Sequence, residues 1–433
     1  MKPNKINLSS SVSLSAIKTD KFKTGMIAFS LALPLSRELS AYNLLLSGVL
    51  RRGTASFPSM ADLNKRLDEL YASSVEIKTS RLGKNEVFII SAEMLDNAFV
   101  TDGTDVLEGV VHLISEVLLH PKLEDGSFPE KTLLHEKSNV CDAIKAEMNN
   151  PKLYAADRCA ELMRRNDPEF PTLASLLDNV TAADSSTLFE HYKNLIEMTA
   201  LNIFYIGSED IVRVSEIIKK YFSSFNGKKP LLNPILPQKL IDKRDVSEPF
   251  EVSQGKLCLG FRSNAVCSDD KYFAAVLFNE IFGGSPASKL FINVRERLGL
   301  CYYCSSSYDS YSGNITVSSG INVDTVEQTR AEILAQLDNM KKGNISDVEL
   351  TAAKKSVSHW YRQIYDYPPD LFAFYSTRSM LGIDASPEDY LKKFDEVTRE
   401  QIIDIAKEVE LDTVFFLQGT LDSQDDFEEE CDE

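Results

Sequence analysis

The sequence predicts an α+β fold of two tandem homologous halves, each an α/β-sandwich-like unit whose mostly antiparallel sheet is covered by helices on one face. Three observations predict it. Period-two and helical patterns follow one another in the same order twice along the 433 residues. Between the two runs, 226–250 interleaves Pro230, Pro234, Pro237 and Pro249 with Lys and Asp and shows no helical periodicity. Shifting one half by 231 residues superposes Gly53 on Gly284, Arg66 on Arg297, Leu67 on Leu298 and Tyr71 on Tyr302, at one place in a shared helix, glycine, helix, strand order.

In the first half, 6–17 reads as strand because Ile6, Leu8, Val12 and Leu14 alternate with polar residues, and 26–33 because it is almost continuously apolar. Helical spacing follows in 40–51 and in 61–72, where Leu63, Leu67 and Leu70 lie a turn apart. Strands come next at 75–80 and 86–94. Helices then follow at 106–119 (Val106, Val110, Leu113, Val117), 132–148 and 152–165. The half closes with strand 200–206 and helix 211–222.

The second half repeats this order. Strand 255–262 alternates at Leu257, Leu259 and Phe261, and helix 270–282 ends at a Gly-Gly break. Helix 288–298 leads into strands 301–308 and 312–321, then helices 324–340, 346–364 and 371–381, helix 399–409 and strand 413–418. The expected domains are 1–225 and 251–420, joined by a linker at 226–250 and followed by an acidic tail at 421–433 whose like charges predict disorder.

With 43% hydrophobic and 26% charged residues the chain has the apolar mass to fold. Its formal charge of −18, from 47 basic and 65 acidic residues, argues against nucleic acid as a partner. No stretch approaches the roughly 18 apolar residues of a membrane span. Seven scattered cysteines resemble reduced usage, which predicts a cytoplasmic protein.

Residue chemistry alone yields no complete catalytic constellation. No two of His112, His120, His135, His191 and His359 are three or four residues apart, so there is no helical pair of zinc ligands. Cys301-Tyr-Tyr-Cys304 could be a redox or metal pair. In a strand, however, residues three apart face opposite ways, which predicts two buried cysteines whose sulfurs do not meet. Gly283-Gly284 lacks phosphate-loop spacing and reads as a helix stop and close-packing turn.

The segment 277–302, LFNEIFGGSPASKLFINVRERLGLCY, resembles the C-terminal half of the insulinase/pitrilysin family of zinc peptidases. It carries the family's succession of helix, Gly-Gly, Leu-Phe and Arg-Glu-x-Leu-Gly-Leu-x-Tyr. Active members of that family carry His-x-x-Glu-His shortly before a Gly-Thr. With Gly53-Thr54 as that pair, the resemblance places Leu44 and Gly48 at the two histidines and Ser47 at the general-base glutamate. The family's later glutamate pair falls on Glu136 and Ala143, so the supporting glutamate is kept and the zinc ligand is replaced.

The resemblance therefore implies no metal and no catalytic residue on this chain. It also implies a substrate-binding pair, Arg295 and Tyr302, since a guanidinium can hold a peptide carboxylate or carbonyl and a phenol can donate to a carbonyl oxygen. In bacterial two-chain members, zinc and this pair reside on different subunits. The expected protein is thus the zinc-free subunit of a heterodimer, with zinc on a partner that carries His-x-x-Glu-His and with a peptide as substrate. The alternative is a peptidase-derived scaffold or peptide-binding protein with no part in proteolysis; a homodimer is disfavoured because two such chains still lack a zinc site.

Overall fold

The computed structural model describes residues 1–239 and 242–420, so the predicted acidic tail lies outside the described residues. The chain forms two compact units. The first contains Met1–Ile144, Glu169–Pro234 and Ile364–Ser386; the second contains Lys145–Pro168, Ile235–Gln363 and the described residues from Pro387 onward.

The first unit is built on six strands: β1 (Asn4–Asn7), β2 (Val12–Lys18), β3 (Thr24–Pro34), β4 (Ser74–Leu82), β5 (Asn85–Leu95) and β6 (Leu201–Gly207). Their order is β1-β2-β6-β3-β5-β4, and only the β2–β6 pair is parallel. The second unit holds β7 (Arg244–Phe250), β8 (Gly255–Arg262), β9 (Cys301–Asp309), β10 (Asn314–Ile321) and β11 (Glu410–Gly419). Here the order is β7-β11-β8-β10-β9, again with one parallel pair, β7–β11. Stepping across both sheets from the parallel pair gives the same succession of pairings, which is the expected duplication expressed as topology.

Central strands are buried at consecutive positions, so both of their faces are covered. In the first unit Phe29 of β3 stacks on Phe222 of helix Ile211–Phe222 at 4.9 Å. Phe204, paired with Ala28, the preceding residue of β3, packs instead on Phe372 and Tyr375 of helix Pro368–Met380. In the second unit Phe261 meets Phe282 on one face. On the other, Cys258, Phe415 and Leu417 pack against Ala155, Cys159 and Met163 of helix Pro151–Met163. Each sheet thus carries one extra helix drawn from the opposite half of the sequence, and each such helix opens with a proline in its first turn, where a missing N–H is harmless.

The helix from the first half is fastened from below by Arg262 of β8. This arginine is 2% exposed. It donates to Asp412 Oδ2 at 2.9 Å, Gln238 Oε1 at 2.6 Å, Asn314 Oδ1 at 2.7 Å and the carbonyl of Met163. A buried guanidinium needs this full set of acceptors.

Several elements differ from the periodicity reading. Residues 6–17 divide into β1 and β2 at a turn where Leu8 and Ser9 donate to the Val12 carbonyl. Helices Leu173–Ala182 and Ser185–Glu197 start at capping boxes completed by Ser175 and Thr187 rather than Glu or Gln, which hid their signature. Helix Pro387–Glu396 also went unpredicted. The last seven residues of the proline-rich stretch form β7, an edge strand, where Pro249 needs no inner ladder bond. Gly283 belongs to a π-helical turn that ends at Gly284, and a Cβ on it would sit 2.7 Å from the backbone nitrogen of Ser306, so the close-packing role is real.

Candidate functional site

Leu44, Ser47 and Gly48 lie on helix Arg37–Val49, which starts at an N-cap where Ser36 accepts from Leu39 N–H. All three are half-buried. The Ser47 hydroxyl is turned back onto its own helix, donating to the Leu44 carbonyl at 2.7 Å. Gly48 faces helix Glu130–Met148 so closely that a Cβ would lie 2.3 Å from Glu136 Oε2 and 3.1 Å from its Cγ.

Glu136 is buried, accepting from Arg52 Nε on Oε1 and from Asn139 Nδ2 at 3.3 Å on Oε2. Ala143 stands two turns further along the helix and is exposed. The fold brings Gly48 and Glu136 together, while Leu44 and Ala143 contribute only carbon. A catalytic zinc needs about three nitrogen, sulfur or oxygen ligands and an open position. The side-chain oxygens here are already committed to a helix carbonyl and to Arg52, so these residues do not fit zinc. Among the described residues no group of three or more His, Cys, Asp or Glu is placed to hold a metal.

Beneath the motif a polar chain missed by sequence reasoning anchors the helix. Ser40 Oγ and Asn43 Nδ2 donate to Glu86 Oε2 at 3.1 and 2.7 Å, and His191 Nε2 lies 2.8 Å from Asn43 Oδ1. With its amide nitrogen spent on Glu86, Asn43 presents oxygen to the imidazole, so His191 carries its proton on Nε2. Burial pushes the Glu86 carboxyl above its ordinary range and His191 down to about 4. His191 lies 148 positions from Asn43 in sequence, and no local pattern announces the pair.

Arg295 and Tyr302 belong to the second unit. Arg295 lies on the π-helical segment Leu290–Arg297, with its guanidinium 4.8 Å above the Phe291 ring and 3.5 Å from Glu296 Oε1. Gly299, at φ +61°, reverses the chain by donating to the Arg295 carbonyl, while Leu300 N–H donates to that of Val294. The chain then enters β9. There Tyr302 is 55% exposed and its hydroxyl donates to Asn322 Oδ1 at 3.3 Å. Both side chains stay accessible, each resting on a neighbour that fixes its direction.

The cysteines flanking this tyrosine overturn the strand argument made from spacing. A β-bulge opposite Gly320 and Ile321 inserts one residue into β9, so Cys301 pairs with Ile321 and Cys304 with Ser319. The extra residue restores the phase: both cysteines are buried on one face of the strand and Tyr302 turns outward.

The model of the peptidase M16 inactive domain matches residues 183–357. Bacillus subtilis "probable inactive metalloprotease YmfF" is 31% identical over 404 residues, covering 93% of this chain and 95% of that protein. The chain belongs to the peptidase M16 family. A conserved protein from Enterococcus faecalis shares the M16 fold seen here, at 26% identity and a TM-score of 0.89 over 97% of this chain and 99% of its own. A Pseudomonas fluorescens M16 inactive domain does so at 17% identity and 0.78, over 98% and 99%. The insulinase/pitrilysin resemblance holds along nearly the whole chain. Among the described residues no helix is long and apolar enough to cross a membrane.

Proposed function

We propose that this chain is the zinc-free subunit of a two-chain M16 peptidase, offering Arg295 and Tyr302 to peptide held at the zinc of a partner with an intact His-x-x-Glu-His. One contrast carries the reading. Leu44, Gly48 and Ala143, the positions the resemblance assigns to the metal, offer no side-chain donor, whereas the Arg295 side chain stays partly accessible and Tyr302 is exposed. Arg295 would hold a carboxylate or carbonyl of the peptide, and Tyr302 would donate to the oxygen on which charge develops. A net charge of −18 favours basic peptides, and a cytoplasmic setting belongs to the same reading.

The test is to combine the purified chain with an M16 partner that keeps the histidine motif and follow cleavage of a quenched fluorescent peptide. Arg295→Ala and Tyr302→Phe should each lower kcat/KM by about 10–100-fold, the scale of a lost transition-state donor. Unchanged rates in both variants would remove the role. Peptide binding without turnover, even with the partner present, would support the scaffold reading instead.

A further inference from the structure

We propose that Cys301 and Cys304 form a reversible dithiol–disulfide pair, oxidised by hydrogen peroxide, at the bulge that carries Tyr302. The geometry comes from strand register. The partners of the two cysteines, Ile321 and Ser319, lie two residues apart on β10. At about 3.4 Å per residue, that places the cysteine Cα atoms roughly 6.8 Å apart, at the upper edge of the disulfide range and well inside the spacing of a regular strand. Both side chains leave the same face, as Ile321 and Ser319 opposite them do, and both are buried there.

The surroundings separate this pair from the other cysteines. Cys159 and Cys258 also neighbour one another, but both are fully buried and burial pushes their thiols up, which keeps them inert. Cys301 is 9% exposed. The Cys304 hydrogen bond and the Arg295 guanidinium favour its thiolate, while Cys304 is held protonated beside it. This makes Cys301 the attacking sulfur and Cys304 the resolving one.

The chemistry balances with peroxide as the only co-reactant. The Cys301 thiolate attacks one peroxide oxygen, an S–O bond forms, the O–O bond breaks, and hydroxide leaves to be protonated to water. Cys304 sulfur then attacks Cys301 sulfur, forming the S–S bond and breaking S–O; the departing hydroxide takes the Cys304 proton and leaves as water. Two thiols are oxidised and one peroxide is reduced. The inference stands on the thiols and not on the part played by Tyr302.

The full chain, treated with hydrogen peroxide, alkylated with iodoacetamide and digested with trypsin, tests this directly. The tryptic peptide 298–330 contains both cysteines and no other. It should lose two hydrogens, escape alkylation and recover both on treatment with dithiothreitol. In Cys304→Ser, Cys301 should accumulate as a sulfenic acid that dimedone captures. A peptide that stays doubly alkylated while Cys141 or Cys267 oxidises would overturn the proposal. So would oxidation that dithiothreitol cannot reverse.

Discussion

Glu136 Oε2 and the Cα of Gly48 are matched in space: a single added carbon on residue 48 would come within 2.3 Å of that oxygen. The space beside Gly48 is therefore filled by a carboxylate that is itself tied to Arg52. The glutamate side chain packs directly against the glycine.

Gly48→Ala measures this packing. In the wild-type background it should destabilise the chain by about 1–3 kcal/mol, because the whole Glu136 side chain must swing away from Arg52. Combined with Glu136→Ala, the same change should stabilise by roughly 0.5–1 kcal/mol, the ordinary gain of alanine over glycine inside a helix. Urea unfolding of the four-member cycle reads both values, and equal effects in the two backgrounds would show that the contact has no energetic weight.

His191 gives a pH dependence with a defined sign. Its folded pKa of about 4 lies below the ordinary 6.5, so the unfolded chain takes up the proton first. The stability it contributes is complete above pH 6.5 and is lost as pH falls toward 4, amounting to about 2–3 kcal/mol near pH 4.5. Glu86, raised by burial, works the other way in acid and offsets part of the loss. Urea midpoints compared at neutral and acid pH should show a shallower acid loss in His191→Gln than in wild type; parallel curves would mean that the imidazole is not held neutral.

Asp412→Asn leaves the buried Arg262 without its carboxylate and should cost about 3–5 kcal/mol. Lys407→Ala, which opens the exposed pair with Asp404, should cost no more than about 1 kcal/mol. Amide exchange adds a local reading. Because Arg262 also binds the Met163 carbonyl, protection along Pro151–Met163 should fall in the Asp412 variant and persist in the Lys407 variant.

Gly283→Ala should destabilise by roughly 1–3 kcal/mol, as overpacking against rigid backbone does. Its nearest obstacle is the backbone nitrogen of Ser306 in β9, a strand laddered to β10, which cannot turn aside as a side chain could. A melting temperature equal to wild type would show that the π-helical turn adjusts freely.

Most of this architecture could be read from periodicity, because burying one face of a strand or helix leaves its mark in every second or every fourth residue. Helices 106–119 and 211–222 and strand 255–262 coincide with their predicted bounds. Exchange of the two proline-started helices left no such mark. Ala155, Cys159 and Met163 form an apolar stripe that would suit either sheet, and nothing local states which sheet receives it. The bulge in β9 was equally hidden, since a Cys-Tyr-Tyr-Cys run reads as strand in either phase. Arg295 and Tyr302 were singled out by the resemblance of their local sequence, and their accessibility on the π-helical segment and on β9 was not written in it. The packing of Glu136 onto Gly48 joins residues 88 positions apart, and only the fold reveals it.

The crossed helices make the proline-rich join a poor place to divide this protein. A fragment ending there would carry Pro151–Met163 with no sheet of its own to cover and would leave bare the strand face that Pro368–Met380 protects. Neither piece would be soluble when made separately. Expressed together they would complement one another, so the two halves are obliged to mature as a single object.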